Sequence, residues 1–359
     1  MDRIAAVKSN FKSLGIDSLL VKNLSNIRYL SGFSGSAGAL LLTKDKDYFI
    51  SDFRYKTQSK MEVYDNFEII IYKQNSYGYI GDLVKKNGNK HGIKKIGFES
   101  NFLTVKDAES LRKEFPAVKF IGVNSLIEKY TSQKNEREIE LTKKAVEITD
   151  IVFSKILTII KPGMTENDIS AEISFYHKKY GASGDSFDPI VASGERSAFP
   201  HARPTSRKIQ NNELVTLDFG CIVEGMKSDM TRTIAFGKIP AKCKKIYNIV
   251  LEAQLRAIDA VKAGITVKKL DSYARGYIKE KGYGDNFGHG LGHGLGYDIH
   301  EGPSINPRTD YKLLVNNIVT IEPGIYVEGL GGVRIEDDVI VKENGCEILN
   351  ISPKELITL

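Results

Sequence analysis

Cysteine is scarce in this chain of 359 residues: Cys221, Cys243 and Cys346 are its whole complement. They are odd in number, widely spaced and without a CxxC pair, which argues against a disulfide framework or a zinc knuckle and fits a reducing compartment. Long apolar runs are missing, so no membrane-spanning helix and no membrane partner are expected. Residues 1–10 lack the apolar core of a secretory signal, and a cytoplasmic location is the resulting expectation. Positive charge is modest and dispersed. The formal net charge is +6, and only Lys85, Lys86, Lys90, Lys94 and Lys95 gather. No aromatic residues interleave with them, so nucleic acid is not an expected partner. Several catalytic signatures are absent as well. His300-Glu-Gly-Pro-Ser304 breaks HExxH, and His293 and Leu295 keep the glycine run from meeting GxGxxG. Neither a GxSxG elbow nor a Walker A loop occurs.

What is present is an ordinary globular composition, 41% hydrophobic and 27% charged, in a chain long enough for two domains. Residues 1–125 alternate short apolar strands with amphipathic helices, which predicts an α/β domain. Helices are expected at 4–14, 56–64, 77–86 and 104–115, the last opened by a capping box from Thr104 to Asp107. Strands are expected at 18–21, 67–72, 96–99 and 118–122, with a hairpin of 38–43 on 48–52. A boundary near 124–133 leads to a second domain over 134–359. There a helix over 135–160 stops before Pro162-Gly163, and Thr165 with Asp168 caps the next one. The pattern recurs in a helix over 244–262 followed by Gly264 and Thr266, which predicts two related α/β halves with a cleft between them.

Chemistry concentrates in residues 287–303. His289, His293 and His300 lie in a run where Gly288, Gly290, Gly292, Gly294 and Gly296 alternate with larger residues. That period of two predicts an extended strand with one bare face for close backbone approach and imidazoles on the other. Four acids interrupt otherwise apolar strands: Asp218, Asp229, Glu322 and Glu336. Asp218 and Asp229 are symmetric about Val223 and Glu224, so a hairpin there would set them opposite each other. A buried acid is costly unless it is paired or binds metal. Four acids with an imidazole suit hard divalent ions such as Mn2+, Co2+, Fe2+ or Mg2+, and five side chains suit two ions better than one. Two such ions would share a water, lower its pKa and stabilise the oxyanion of an attacked carbonyl.

At these residues the sequence resembles the metal-dependent pita-bread peptidases, in their proline-specific branch of aminopeptidase P and prolidase. The resemblance runs through NIRYLSGFSG at 26–35 and SDFRY at 51–55, which look like a creatinase-type N-terminal domain. It continues through SAFPH at 197–201, LDFG at 217–220, SDMTR at 228–232, GHG at 292–294, HE at 300–301, EPG at 322–324 and RIE at 334–336. The resemblance implies an α/β creatinase-like domain, then an α+β pita-bread domain of pseudo-twofold halves. It implies that Asp218, Asp229, His293, Glu322 and Glu336 hold two divalent ions, Mn2+ foremost, with Co2+, Fe2+ or Zn2+ as alternatives. His201 and His300 would stabilise the intermediate, His289 would position substrate, and Glu322 would relay the proton from the metal-bound water, leaving a metal-bridging hydroxide as the nucleophile. Tyr326 and Arg334 would orient the carboxylates. The implied reaction is hydrolysis of an N-terminal Xaa-Pro bond in proline-containing peptides by a homodimer. The segments at 186–194 and 287–289 favour Xaa-Pro aminopeptidase, with Xaa-Pro dipeptidase as the alternative. Creatinase lacks the ligand set, methionine aminopeptidases lack this first domain, and inactive scaffold relatives typically lose ligands.

Overall fold

Local signals in the first part of the chain assemble a six-stranded mixed sheet. The computed structural model describes residues 2–73, 78–82 and 93–359, and divides them into two compact units, Met1–Thr131 and Ser132–Leu359. In the first unit, β1 (Ser18–Val21), β2 (Ala39–Thr43), β3 (Asp47–Asp52), β4 (Phe67–Tyr72), β5 (Lys95–Glu99) and β6 (Lys119–Val123) are ordered β4-β3-β2-β1-β5-β6. The expected hairpin is β2 on β3, with Leu42 facing Asp47. Leu20, Leu41, Tyr48, Ile50 and Ile96 of this sheet pack on Leu111 from the Val105–Glu114 helix and on Phe115, which ends it. Thr104 caps that helix in the expected box with Asp107.

The helix expected over 4–14 is broken into Arg3–Lys8 and Phe11–Leu14. Asn10 causes the break: its side-chain amide donates to the Ala6 carbonyl at 3.0 Å, offering the backbone an alternative to the next helical turn. Of the helix expected over 77–86, residues 78–82 are helical; the remainder, with Lys85, Lys86 and Lys90, lies outside the described residues.

The second unit repeats one design. A long helix, Glu136–Ile159, and a Thr165-capped helix, Glu166–Lys179, cover strands β8 (Ile190–Ser193), β9 (Glu213–Phe219) and β12 (Met230–Phe236). Between them lie the short strands β7 (Gly184–Asp185), β10 (Cys221–Val223) and β11 (Met226–Lys227). Helices Ala241–Ala260 and Val267–Glu280 then cover β13 (Gly292–Gly294), β14 (Glu301–Ile305), β15 (Ile318–Ile321), β16 (Gly324–Val327), β17 (Gly331–Arg334), β18 (Asp337–Lys342) and β19 (Gly345–Ile348). The sheet order β12-β9-β8 in one half matches β18-β15-β13 in the other. The helix-joining turns match bond for bond. Gly163 N–H donates to the Ile209 carbonyl and Gly264 N–H to the Leu313 carbonyl, each at 2.8 Å. Among the described residues no helix is long and apolar enough to cross a membrane.

Two strand expectations are corrected here. Residues 287–303 do not form one strand: β13 and β14 are short and separated by bends. The bare face is nonetheless used. A Cβ at Gly292 would collide with the Thr320 carbonyl oxygen, and one at Gly294 with the Gly302 carbonyl oxygen. Backbone approach from both sides bends the run instead of extending it. The hairpin that carries Asp218 and Asp229 turns at Glu224-Gly225, both at positive φ, one residue later than expected. Asp218 therefore faces Thr231, and Asp229 is its diagonal neighbour on the same face.

Substituting Gly292→Ala should therefore cost about 1–3 kcal/mol through overpacking, seen as a lowered thermal midpoint. A midpoint equal to that of the parent protein would contradict the close approach described here.

Candidate metal centre

Three of the four acids sit not within strands but where the chain passes from one sheet to another. Asp229 lies between β11 and β12, Glu322 between β15 and β16, and Glu336 between β17 and β18; only Asp218 is inside a strand. The sequence hid this because the apolar pattern runs straight through each break. At each break the backbone amide is free of its own ladder and is braced from elsewhere. Asp229 N–H donates to Asp338 Oδ2 at 2.9 Å, Glu322 N–H to the Leu291 carbonyl at 2.8 Å, and Glu336 N–H to the Thr231 carbonyl at 3.1 Å. His293, on β13, donates its N–H to Thr320 Oγ1 at 3.1 Å. The donor residues are thus fixed by strands of both halves.

Their side chains converge. Ligand atoms of Asp229, His293 and Glu336 all lie within 4.8 Å of one another. His293 Nε2 is 3.7 Å from Asp229 Oδ2 and 3.5 Å from Glu322 Oε1. Donors sharing one ion at bonds of about 2.1 Å lie roughly 3–3.5 Å apart, so modest adjustment brings these onto a common cation. Asp218 is held aside by an ion pair with Arg334 Nη2.

Arg334 organises the wall of the site. Its Nη1 donates to Tyr326 Oη at 2.9 Å and to the Pro200 carbonyl at 3.2 Å, and its Nε donates to Thr231 Oγ1 at 3.0 Å. The Thr231 hydroxyl in turn donates a hydrogen bond to Glu336 Oε2 at 2.6 Å. Tyr326 Oη also meets His289 Nε2 at 2.9 Å. The remaining histidines sit at the open side. The rings of His293 and His300 are 4.4 Å apart in an edge-on contact, and both His201 and His300 are exposed. His201 lies near enough for its charge to act on Asp218 and His300.

The electrostatics are those of a cation site. Burial, then repulsion from Glu336 and Asp218, pushes the Asp229 carboxyl far above the usual range; burial, then Glu322 and Asp218, does the same to Glu336. Glu322 is pushed up to about 8, chiefly by burial. Asp218 Oδ1 and Asp229 Oδ1 are buried without a hydrogen-bond partner. Neighbouring Asp337 provides the contrast: although buried, it is held below the ordinary value by Arg232 and Lys354. Burial and His300 push His293 down to about 4, so its ring is unprotonated and free to ligate at neutral pH. Buried, orphaned, mutually repelling oxygens beside a neutral imidazole fit divalent cations.

Reading the sequence missed Asp338, Thr231 and Thr320, which hold the donors by hydrogen bonds. It also missed the Asp271–Arg275 pair, whose guanidinium donates to the Phe287 carbonyl at 2.9 Å and to the His289 carbonyl at 2.6 Å. Their one visible signal was spacing four apart on a helix.

Known proteins agree with this architecture. Residues 3–130 match the creatinase/prolidase N-terminal domain, and residues 140–343 match metallopeptidase family M24. An Xaa-Pro dipeptidase from Bacillus anthracis is 44% identical, with a TM-score of 0.95 over 100% of this chain and 99% of its own. An X-Pro aminopeptidase from Thermotoga maritima MSB8 is 40% identical, with a TM-score of 0.88 over 98% of this chain and 100% of its own. An Xaa-Pro dipeptidase from Pyrococcus horikoshii is 37% identical over 344 residues, 95% of each chain. The chain belongs to metallopeptidase family M24, with a creatinase/prolidase N-terminal domain ahead of a pita-bread catalytic domain.

Proposed function

We propose that the protein hydrolyses Xaa-Pro dipeptides with two divalent cations held by Asp218, Asp229, His293, Glu322 and Glu336. The observation that carries this reading is the convergence of Asp229, His293 and Glu336 donor atoms at one buried point. The preference for aminopeptidase that the sequence suggested gives way to its alternative, because relatives over nearly the full chain are named Xaa-Pro dipeptidases. Mn2+ is the ion assigned, with Co2+, Fe2+ or Zn2+ as substitutes, and the working form is a cytoplasmic homodimer. Bound divalent cations supply a water activated near neutral pH and charge stabilisation at the attacked carbonyl.

The chain's own residues supply the rest. Glu322, with Oε1 3.5 Å from His293 Nε2, takes the proton of the attacking water and delivers it to the departing proline nitrogen. His201 and His300, exposed on the open side, donate N–H bonds to the substrate carbonyl as it gains negative charge. His289, held by Tyr326 and pushed down to about 4 by burial and Arg334, stays neutral and positions the dipeptide. Arg334 fixes Asp218 directly and Glu336 through Thr231.

Asp229→Ala and Glu336→Ala should each lower Mn2+-dependent hydrolysis by more than roughly 1,000-fold while leaving the circular dichroism spectrum unchanged. Retained turnover in either variant contradicts the ligand assignment. Competing an Xaa-Pro dipeptide against an Xaa-Pro-Yaa tripeptide should give the higher kcat/KM for the dipeptide; the reverse order restores the aminopeptidase reading.

The metal-free protein has a pH signature. Glu322 titrates at about 8 when folded against an ordinary value of 4.5, so between these limits the folded state binds more protons than the unfolded one. Its stability therefore falls as pH rises from about 6.5 to about 8; below that window His289 and His293, held neutral in the folded state, act in the opposite sense. Thermal midpoints of chelator-treated protein across that window should decline, and added Mn2+ should flatten the decline. A midpoint that rises with pH in the metal-free protein would refute the assigned electrostatics.

A further inference from the structure

The duplicated halves offer an internal comparison at the first residue of their second helices. Glu166 N–H donates to the Arg207 carbonyl at 3.0 Å, and its counterpart Val267 N–H donates to the Tyr311 carbonyl at 2.8 Å. Val267 is apolar and lies in the core, so this fold position has no need of an acid. Glu166 is nevertheless fully buried, and five donors converge on its carboxylate. Ser193 donates its N–H at 2.9 Å and its hydroxyl at 2.8 Å to Oε1. Thr205 donates its N–H at 3.0 Å and its hydroxyl at 2.7 Å to Oε2. Arg196 Nε reaches both oxygens, at 3.2 and 3.1 Å.

Ser193 ends β8, and the chain between it and Thr205 is the loop that carries His201. That loop also docks on β17 through the Ser197 hydroxyl oxygen, which accepts Gly332 N–H at 2.8 Å. The Pro200 carbonyl, next to His201, accepts from Arg334 Nη1 at 3.2 Å. Among the described residues none hydrogen-bonds the exposed His201 ring, so the loop beneath sets where it stands.

We propose that Glu166 is a positioning residue for hydrolysis: its carboxylate ties the two ends of the 193–205 loop together and so holds His201 at the cation-binding cluster. The proposal rests on the role given to His201 above. Glu166→Gln keeps the size but replaces one acceptor oxygen with an amide NH2 donor facing a ring of donors. Glu166→Val copies the second half and serves if the glutamine variant fails to fold. Either variant should bind Mn2+ with unchanged stoichiometry and affinity, while kcat for an Xaa-Pro dipeptide falls on the order of 10- to 100-fold, the scale of a small misplacement at a reacting centre. Combined with His201→Ala, the substitution should add less than about twofold to the loss, because both act through one group. A readout independent of turnover is the carbon-13 ring signal of His201 in Zn2+-loaded protein, identified by its disappearance in His201→Ala. It should shift or broaden in the Glu166 variant while the His289 signal stays. An unmoved His201 signal, or full additivity of the two substitutions, overturns the proposal. If His201→Ala alone leaves hydrolysis unchanged, the catalytic role of His201 fails, and the ring signal alone decides whether Glu166 positions it.

Discussion

Carboxylates crowded away from water repel one another, and the second unit is organised around that repulsion. Asp218 helps to raise the pKa values of Asp229, Glu322 and Glu336, Glu336 does the same to Asp229 and Asp338, and Arg334 is the guanidinium that answers Asp218, Glu322 and Glu336. Such a group would spread apart or take up protons unless the surrounding backbone forbade the first. Here the backbone forbids it: Asp229, His293, Glu322 and Glu336 each donate their N–H to a distant segment of the chain. Positive charge placed among these oxygens would relieve that repulsion.

Duplication supplies the frame, and asymmetry supplies the chemistry. Both halves use the same helix pair, the same turn and the same three-strand order. Their loops diverge: the first half builds the His201 loop on a buried carboxylate, whereas the second has Val267 in place of that carboxylate and carries its histidines along a glycine-rich run that includes β13. A pseudo-symmetric scaffold thus presents unlike walls to the substrate.

Much of this was legible in the sequence because the signals are local. Capping boxes at Thr104 and Thr165 mark helix starts that depend on four consecutive residues, and apolar runs mark β1 and β4 to the residue. What could not be read is decided by distant backbone. The strand carrying Glu336 looks continuous, yet it changes sheets because β12 captures the Glu336 amide. The hairpin register slipped by one because Glu224 and Gly225 adopt left-handed conformations that their neighbours do not announce. Glu166 reads as an ordinary acid in the first turn of a helix, where it would favour the dipole, until its five donors are seen. Asp338 hides behind Asp337 in the same way, although one is orphaned on Oδ1 and the other is paired.

The breaks between β11 and β12, β15 and β16, and β17 and β18 separate two tasks along the chain. Ladder bonds close on either side of each break without calling on the acid that sits in it. The carboxylates of Asp229, Glu322 and Glu336 thus stand outside the scaffold's own pairing, so exchanging one of them alters the charge of the cluster without opening a strand pair.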